Sequence, residues 1–105
     1  PANSRPTAQP SAPAGGSADD YVAQGREYIK AEAFEKAIEA LSKAIALNPS
    51  HPSALLLLAT SYGADGQQEL AISTWKQFLV LEVSDDYARG IAFVGLGQAY
   101  DTTRL

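Results

Sequence analysis

Laid over itself at an offset of 34 residues, the chain brings Gly25 onto Ala59, Tyr28 onto Tyr62, Ala37 onto Ala71, Leu41 onto Trp75 and Ala44 onto Phe78. A repeat of that length, with small and bulky residues at fixed places, marks a supersecondary unit that buries its apolar face by stacking on its neighbours. The units read as helical hairpins. Ser17-Ala18-Asp19-Asp20 has the spacing of a capping box, with its acidic residues where the helix dipole favours them. Behind it Tyr21, Gln24, Gly25, Tyr28 and Ile29 share one helical face. A turn is expected over Ala31 to Phe34, then a second helix from about Glu35 to Leu47 with Ala37, Ile38, Leu41, Ala44 and Ile45 inward. Asn48-Pro49 stops it. Ser50 to Ser53 opens a third helix that ends near Asp65-Gly66, and a fourth follows from Gln67 to about Glu82. Ser84-Asp85-Asp86 starts a fifth, which reaches the chain end. The expected fold class is all-α, with five helices.

Stacking requires close approach. Gly25, Ala37, Ala59, Ala71 and Gly97 are small where backbones are expected to meet, while Tyr28, Tyr62, Trp75 and Phe78 fill the wedges between. The first copy reads Tyr21-x-x-Gln24-Gly25-x-x-Tyr28, then Ala37-x-x-x-Leu41, Ala44 and Pro49. The second reads Leu55-x-x-Leu58-Ala59-x-x-Tyr62, then Ala71-x-x-x-Trp75 and Phe78, and a half copy reads Phe93-x-x-Leu96-Gly97-x-x-Tyr100. This pattern resembles the tetratricopeptide repeat over residues 18–105. The resemblance implies a right-handed α-solenoid of antiparallel hairpins, with repeats at about 18–51 and 52–85 and a half repeat at 90–105. Three places depart from it: Gln24 stands where Leu is usual, Val83 where Pro is usual, and four extra residues precede the third copy. The last two imply either a long fourth helix or an irregular loop from Glu82 to Arg89.

Composition narrows the function classes. Twelve acidic and eight basic residues give a net charge of −4, and the basic ones are scattered singly, which argues against nucleic acid as a partner. The longest apolar stretches, Ala54 to Ala59 and Gly90 to Gly97, fall far short of the roughly 20 residues a membrane-spanning helix needs. With no cysteine, no disulfide or thiolate metal site can form. Residues 1–18 hold four of the six prolines, and 14 of these 18 positions are Pro, Ala, Ser or Gly. Such a segment is too poor in apolar bulk to fold by burial, and it reads as a disordered linker or a docking tail. The domain proper is expected over 19–105. A start at Pro1 without Met is expected of a chain processed or cut from a longer one, and a Pro/Ala-rich leader before a cysteine-free domain favours an exported or periplasmic location.

No catalytic, cofactor-binding or metal-binding set emerges. His51 is the single histidine, in the turn Asn48-Pro49-Ser50-His51-Pro52, and reads as a solvated turn residue. Asp85 and Asp86 stand at a helix start, where capping accounts for them. Gly95-x-Gly97 lacks the third glycine and the strand of a phosphate loop and reads as helix packing. Glu35, Glu39 and Lys43 form a solvated face with one favourable Glu–Lys pair.

In the family resembled, the first helices of successive hairpins line a concave groove. Carried over residue by residue, that register names Val22, Arg26, Ile29 and Lys30 in the first copy, Leu56, Leu57 and Thr60 in the second, and Ile91, Val94 and Gln98 in the half copy. The strip is apolar in its middle and charged at its edge, suited to a partner peptide or amphipathic helix. A carboxylate clamp of the Lys/Asn type would need positions 22, 26 and 57, which carry Val22, Arg26 and Leu57, so recognition of a partner's C-terminal tail is not expected. The four leucines Leu55 to Leu58 span more than half a helical turn and cannot all face one core. The fifth helix, Ile91-Ala92-Phe93-Val94-Gly95-Leu96, is apolar almost all round and calls for a cover. The expected function is a non-catalytic protein-interaction module, a scaffold or assembly subunit that holds a partner in its groove. The alternatives are self-association through the fifth helix, or an accessory domain of an enzyme whose catalytic part lies elsewhere.

Overall fold

The computed structural model describes residues 16–103; the linker reading of the N-terminal segment falls largely on residues outside that range. Five α-helices account for most of the described residues: α1 (Ala18–Lys30), α2 (Phe34–Leu47), α3 (Pro52–Ala64), α4 (Gln68–Val80) and α5 (Asp86–Thr103). No strand occurs among the described residues. The all-α helical-repeat fold read from the sequence is the fold of the chain.

Local chemistry sets the helix ends. The Ser17 hydroxyl accepts the Asp20 backbone N–H at 3.2 Å, and the Asp20 carboxylate accepts the Ser17 N–H at 3.1 Å, so both halves of the capping box form. The α1–α2 turn carries Glu32 at φ 59°, and the matching α3–α4 turn carries Gly66 at φ 86°. Both hairpins thus use the left-handed region at the same place, which glycine adopts without strain and Glu32 does not. Helix α4 stops at Val80, so of the two expected alternatives the irregular loop is the one adopted, with Glu82 also left-handed at φ 54°. The Asp85 carboxylate then accepts the N–H groups of Tyr87 and Ala88 at 3.0 and 3.4 Å and opens α5 as a cap.

His51 corrects the sequence reading. It is no solvated turn residue, since only 14% of its side chain is exposed. Its Nδ1 accepts the Ala54 N–H at 3.2 Å, which caps α3, and its Nε2 lies 2.7 Å from an Asp19 carboxylate oxygen at the start of α1. A nitrogen that accepts from a backbone N–H carries no proton, so the neutral ring donates from Nε2 to Asp19. One imidazole thereby ties together the N-termini of two stacked helices. Lys43 likewise departs from the expected Glu–Lys pairing, for its ammonium lies over the Tyr21 ring, 5.8 Å from the centroid.

Two cores run through the stack. The first gathers Val22, Ala37, Leu41, Ala44, Ala54 and Leu58 between α1, α2 and α3. The second gathers Leu55, Ala59, Ala71, Trp75, Phe78, Ala92 and Ala99 between α3, α4 and α5. Ile45 and Tyr62 pack against both. Helix α3 is the shared layer, touching all four other helices. That position resolves its leucine run: Leu55 and Leu56 turn to the second core, Leu57 and Leu58 to the first.

Close approach occurs at two glycines. A Cβ added to Gly25 would stand 2.5 Å from Leu41 Cγ, and one added to Gly95 would meet the Trp75 indole at 2.4 to 2.8 Å. Gly97, expected as a packing glycine, has nothing within 4 Å among the described residues. The reason is architectural. Gly25 is covered by α2, the second helix of its own hairpin, and among the described residues no helix follows α5 to do the same for Gly97.

Candidate partner-binding cleft

The first helices of the second hairpin and the half repeat, α3 and α5, lie on the same side of α4 and leave a hollow between them. Its volume is about 1050 Å³. Thr60, Gly63 and Ala64 form one wall from α3; Ile91, Val94 and Gln98 form the other from α5; Ala59, Ala71, Trp75 and Gly95 lie toward the floor. The floor is deep because Gly95 lets α5 settle on the Trp75 ring, while the small residues Gly63, Ala64 and Gly90 keep the mouth wide. Val94 is 60% exposed within it, a large apolar side chain held at the surface by a helix whose opposite side is buried at Ala92 and Ala99. The charged residues of the lining are Asp86 and Asp101, toward opposite ends of α5.

The ten residues named by the groove register separate into two sets. Thr60, Ile91, Val94 and Gln98 line the cleft together. The other six do not. Val22 is 4% exposed and belongs to the first core. Ile29 and Leu57 are half-buried against that same core, and Leu56 is half-buried against the second. Arg26 and Lys30 are exposed on α1, where the Lys30 ammonium bonds the Glu27 carboxylate at 3.3 Å. The furrow between α1 and α3 is filled by Val22, Ala54, Leu57 and Leu58, which join the first core, whereas the furrow between α3 and α5 holds the hollow.

Sequence reasoning passed over Tyr87, Gln68 and the floor role of Trp75. Tyr87 had a signal: with Ile91, Val94 and Gln98 it makes an unbroken stripe at i, i+4, i+7, i+11 along α5. Among the described residues no group of three or more His, Cys, Asp or Glu side chains could hold a metal ion. No described helix is long and apolar enough to cross a membrane.

No curated protein matches the chain. TPR repeats in general are protein–protein interaction modules, and the family is generally non-catalytic. The cleft's α3 wall, the covered Gly25 and the whole of α2 all lie within residues 25–66, which match the family model of the TPR repeat.

Proposed function

We propose that the chain is a non-catalytic binding module that holds a partner segment in the cleft between α3 and α5, and through it serves as a scaffold or assembly subunit of a larger complex. The observation that carries this reading is an exposed Val94 over a Trp75 floor, in a hollow of about 1050 Å³. Exposed apolar surface that a helix could bury costs solubility and is retained where it binds something. The occupant is a short helix or extended segment with an apolar face, and the aspartates on the lining favour basic residues at its flanks.

Trp75 is the only tryptophan, so its fluorescence reports on the cleft without labelling. Peptides selected from a displayed random library against the wild-type chain are expected to shift Trp75 emission and to lose affinity for Val94→Glu at least ~10-fold. Helical circular dichroism should be unchanged in that variant, because Val94 faces solvent. Val94→Glu is the discriminating substitution, and Leu57→Glu is not, since Leu57 supports the first core. Peptides that bind Val94→Glu as tightly as wild type would contradict the cleft assignment.

A further inference from the structure

His51 is the single histidine of the chain, and both of its ring nitrogens are engaged. It stands at the N-cap of α3, where Nδ1 accepts the Ala54 N–H at 3.2 Å. On the other side of the ring, Nε2 lies 2.7 Å from the Asp19 carboxylate of α1. The two contacts ask opposite things of the imidazole: Nδ1 must be bare to accept, and Nε2 must carry the proton to donate. Only 14% of the His51 side chain is exposed, against 87% of Asp19, so the ring is enclosed while its counter-charge stands in solvent. The turn residues Asn48, Pro49 and Ser50, the first turn of α3 and the last turn of α2 contain no ionisable side chain. At the start of α1, Asp20 accepts the Ser17 N–H, and Lys43 of α2 lies over the Tyr21 ring.

Imidazole is the side chain whose charge ordinarily changes between pH 5 and 8. Here an incoming proton has one place to go, Nδ1, and that nitrogen is the cap of α3. A charged ring cannot accept the Ala54 N–H, and its charge meets the positive end of the α3 dipole. The Nε2–H bond to Asp19, by contrast, becomes charge-assisted and stronger. We propose that His51 is a proton-operated joint between α1 and α3. Neutral, it caps α3 and donates to Asp19; charged, it frees the first turn of α3 and holds α1 through an ion pair. The freed turn carries Ala54 of the first core and Leu55 of the second, so the change reaches both. The side-chain caps of α1 and α5 are the Ser17 hydroxyl and the Asp85 carboxylate, and caps of these kinds keep one charge state across that range. The joint stands at the opposite end of α3 from the Thr60 to Ala64 wall, so it does not rest on the cleft reading.

The test is nuclear magnetic resonance on the whole isotope-labelled chain, taken from about pH 8 to about pH 5. At the upper end the ring nitrogen shifts should report the proton on Nε2, with a scalar coupling between His51 Nδ1 and the Ala54 amide across their hydrogen bond. That coupling should vanish as the ring charges. Hydrogen-exchange protection of Ala54 should fall about fivefold with it, the effect of one lost cap, while Asp20 and Ala88 keep theirs. The Asp19 carboxyl carbon should shift at the same midpoint as the ring, since the charge arrives on an imidazole 2.7 Å away. In His51→Asn, whose amide can cap without charging, Ala54 protection should be the same at both ends of the range. A proton on Nδ1 at the upper end, Ala54 protection that ignores the charge on the ring, or an Asp19 carboxyl blind to it would overturn the joint.

Discussion

Helices α1 and α5 are written on one template, yet they end in different physical situations. In α1, Gly25 is pressed by Leu41 and the outward side is polar, with Asp19, Arg26 and Glu27 in solvent. In α5 the corresponding Gly97 is open, and Phe93, Val94 and Tyr100 are exposed instead. A repeat motif specifies what a helix can receive, and the helices around it decide what is received. The same glycine is therefore a stability determinant in α1 and, among the described residues, an open position in α5.

Removing the ring on which α5 sits should have the largest effect. Trp75→Ala takes away the floor beneath Gly95 and empties the second core, and should cost about 3 to 5 kcal/mol in urea unfolding. It should also erase peptide binding in the cleft, while Leu41→Ala, in the first core, should cost about 2 to 5 kcal/mol without moving the α3–α5 walls. The comparison of glycines is sharper because it predicts opposite signs. Gly25→Ala should destabilise by about 1 to 3 kcal/mol through overpacking on Leu41. Gly97→Ala should stabilise by about 1 kcal/mol through helix propensity alone. Equal losses at both sites would show that Gly97 is covered after all. The last contrast concerns Gln24, which occupies the place that Leu58 fills in the second copy. It is buried, and among the described residues its Nε2 has no hydrogen-bond partner. Gln24→Leu should raise thermal stability by an amount equivalent to about 1 kcal/mol, since an unsatisfied buried donor is exchanged for apolar contact.

Much of this arrangement is legible in the residues, because its determinants are local. Ser17 with Asp20, Asn48-Pro49 and Asp85 fix helix ends through neighbours one to four positions away, and the structure follows each of them. Periodicity likewise places Ala37, Leu41, Ala71, Trp75 and Phe78 in the cores. What the residues could not show depends on the third dimension. His51 finds Asp19, 32 positions earlier, only once α1 and α3 are stacked. Leu56 and Leu57 look like an exposed strip until α3 is seen to be a middle layer with a core on either side. The groove register names residues that line an open furrow at Thr60, Ile91, Val94 and Gln98, and residues packed into a core at Val22 and Leu57, where an identical spacing meets a furrow already filled.

The central claim is that the furrow between α3 and α5 is where a partner lies. Amide and methyl chemical-shift mapping, with a peptide selected by Trp75 fluorescence, tests it most directly. The account predicts the largest perturbations at Thr60, Ile91, Val94, Gln98 and the Trp75 indole N–H, with α2 left unmoved. Perturbations concentrated on the outward faces of α2 and α4, or absent from Val94 and Trp75 at saturation, would contradict it.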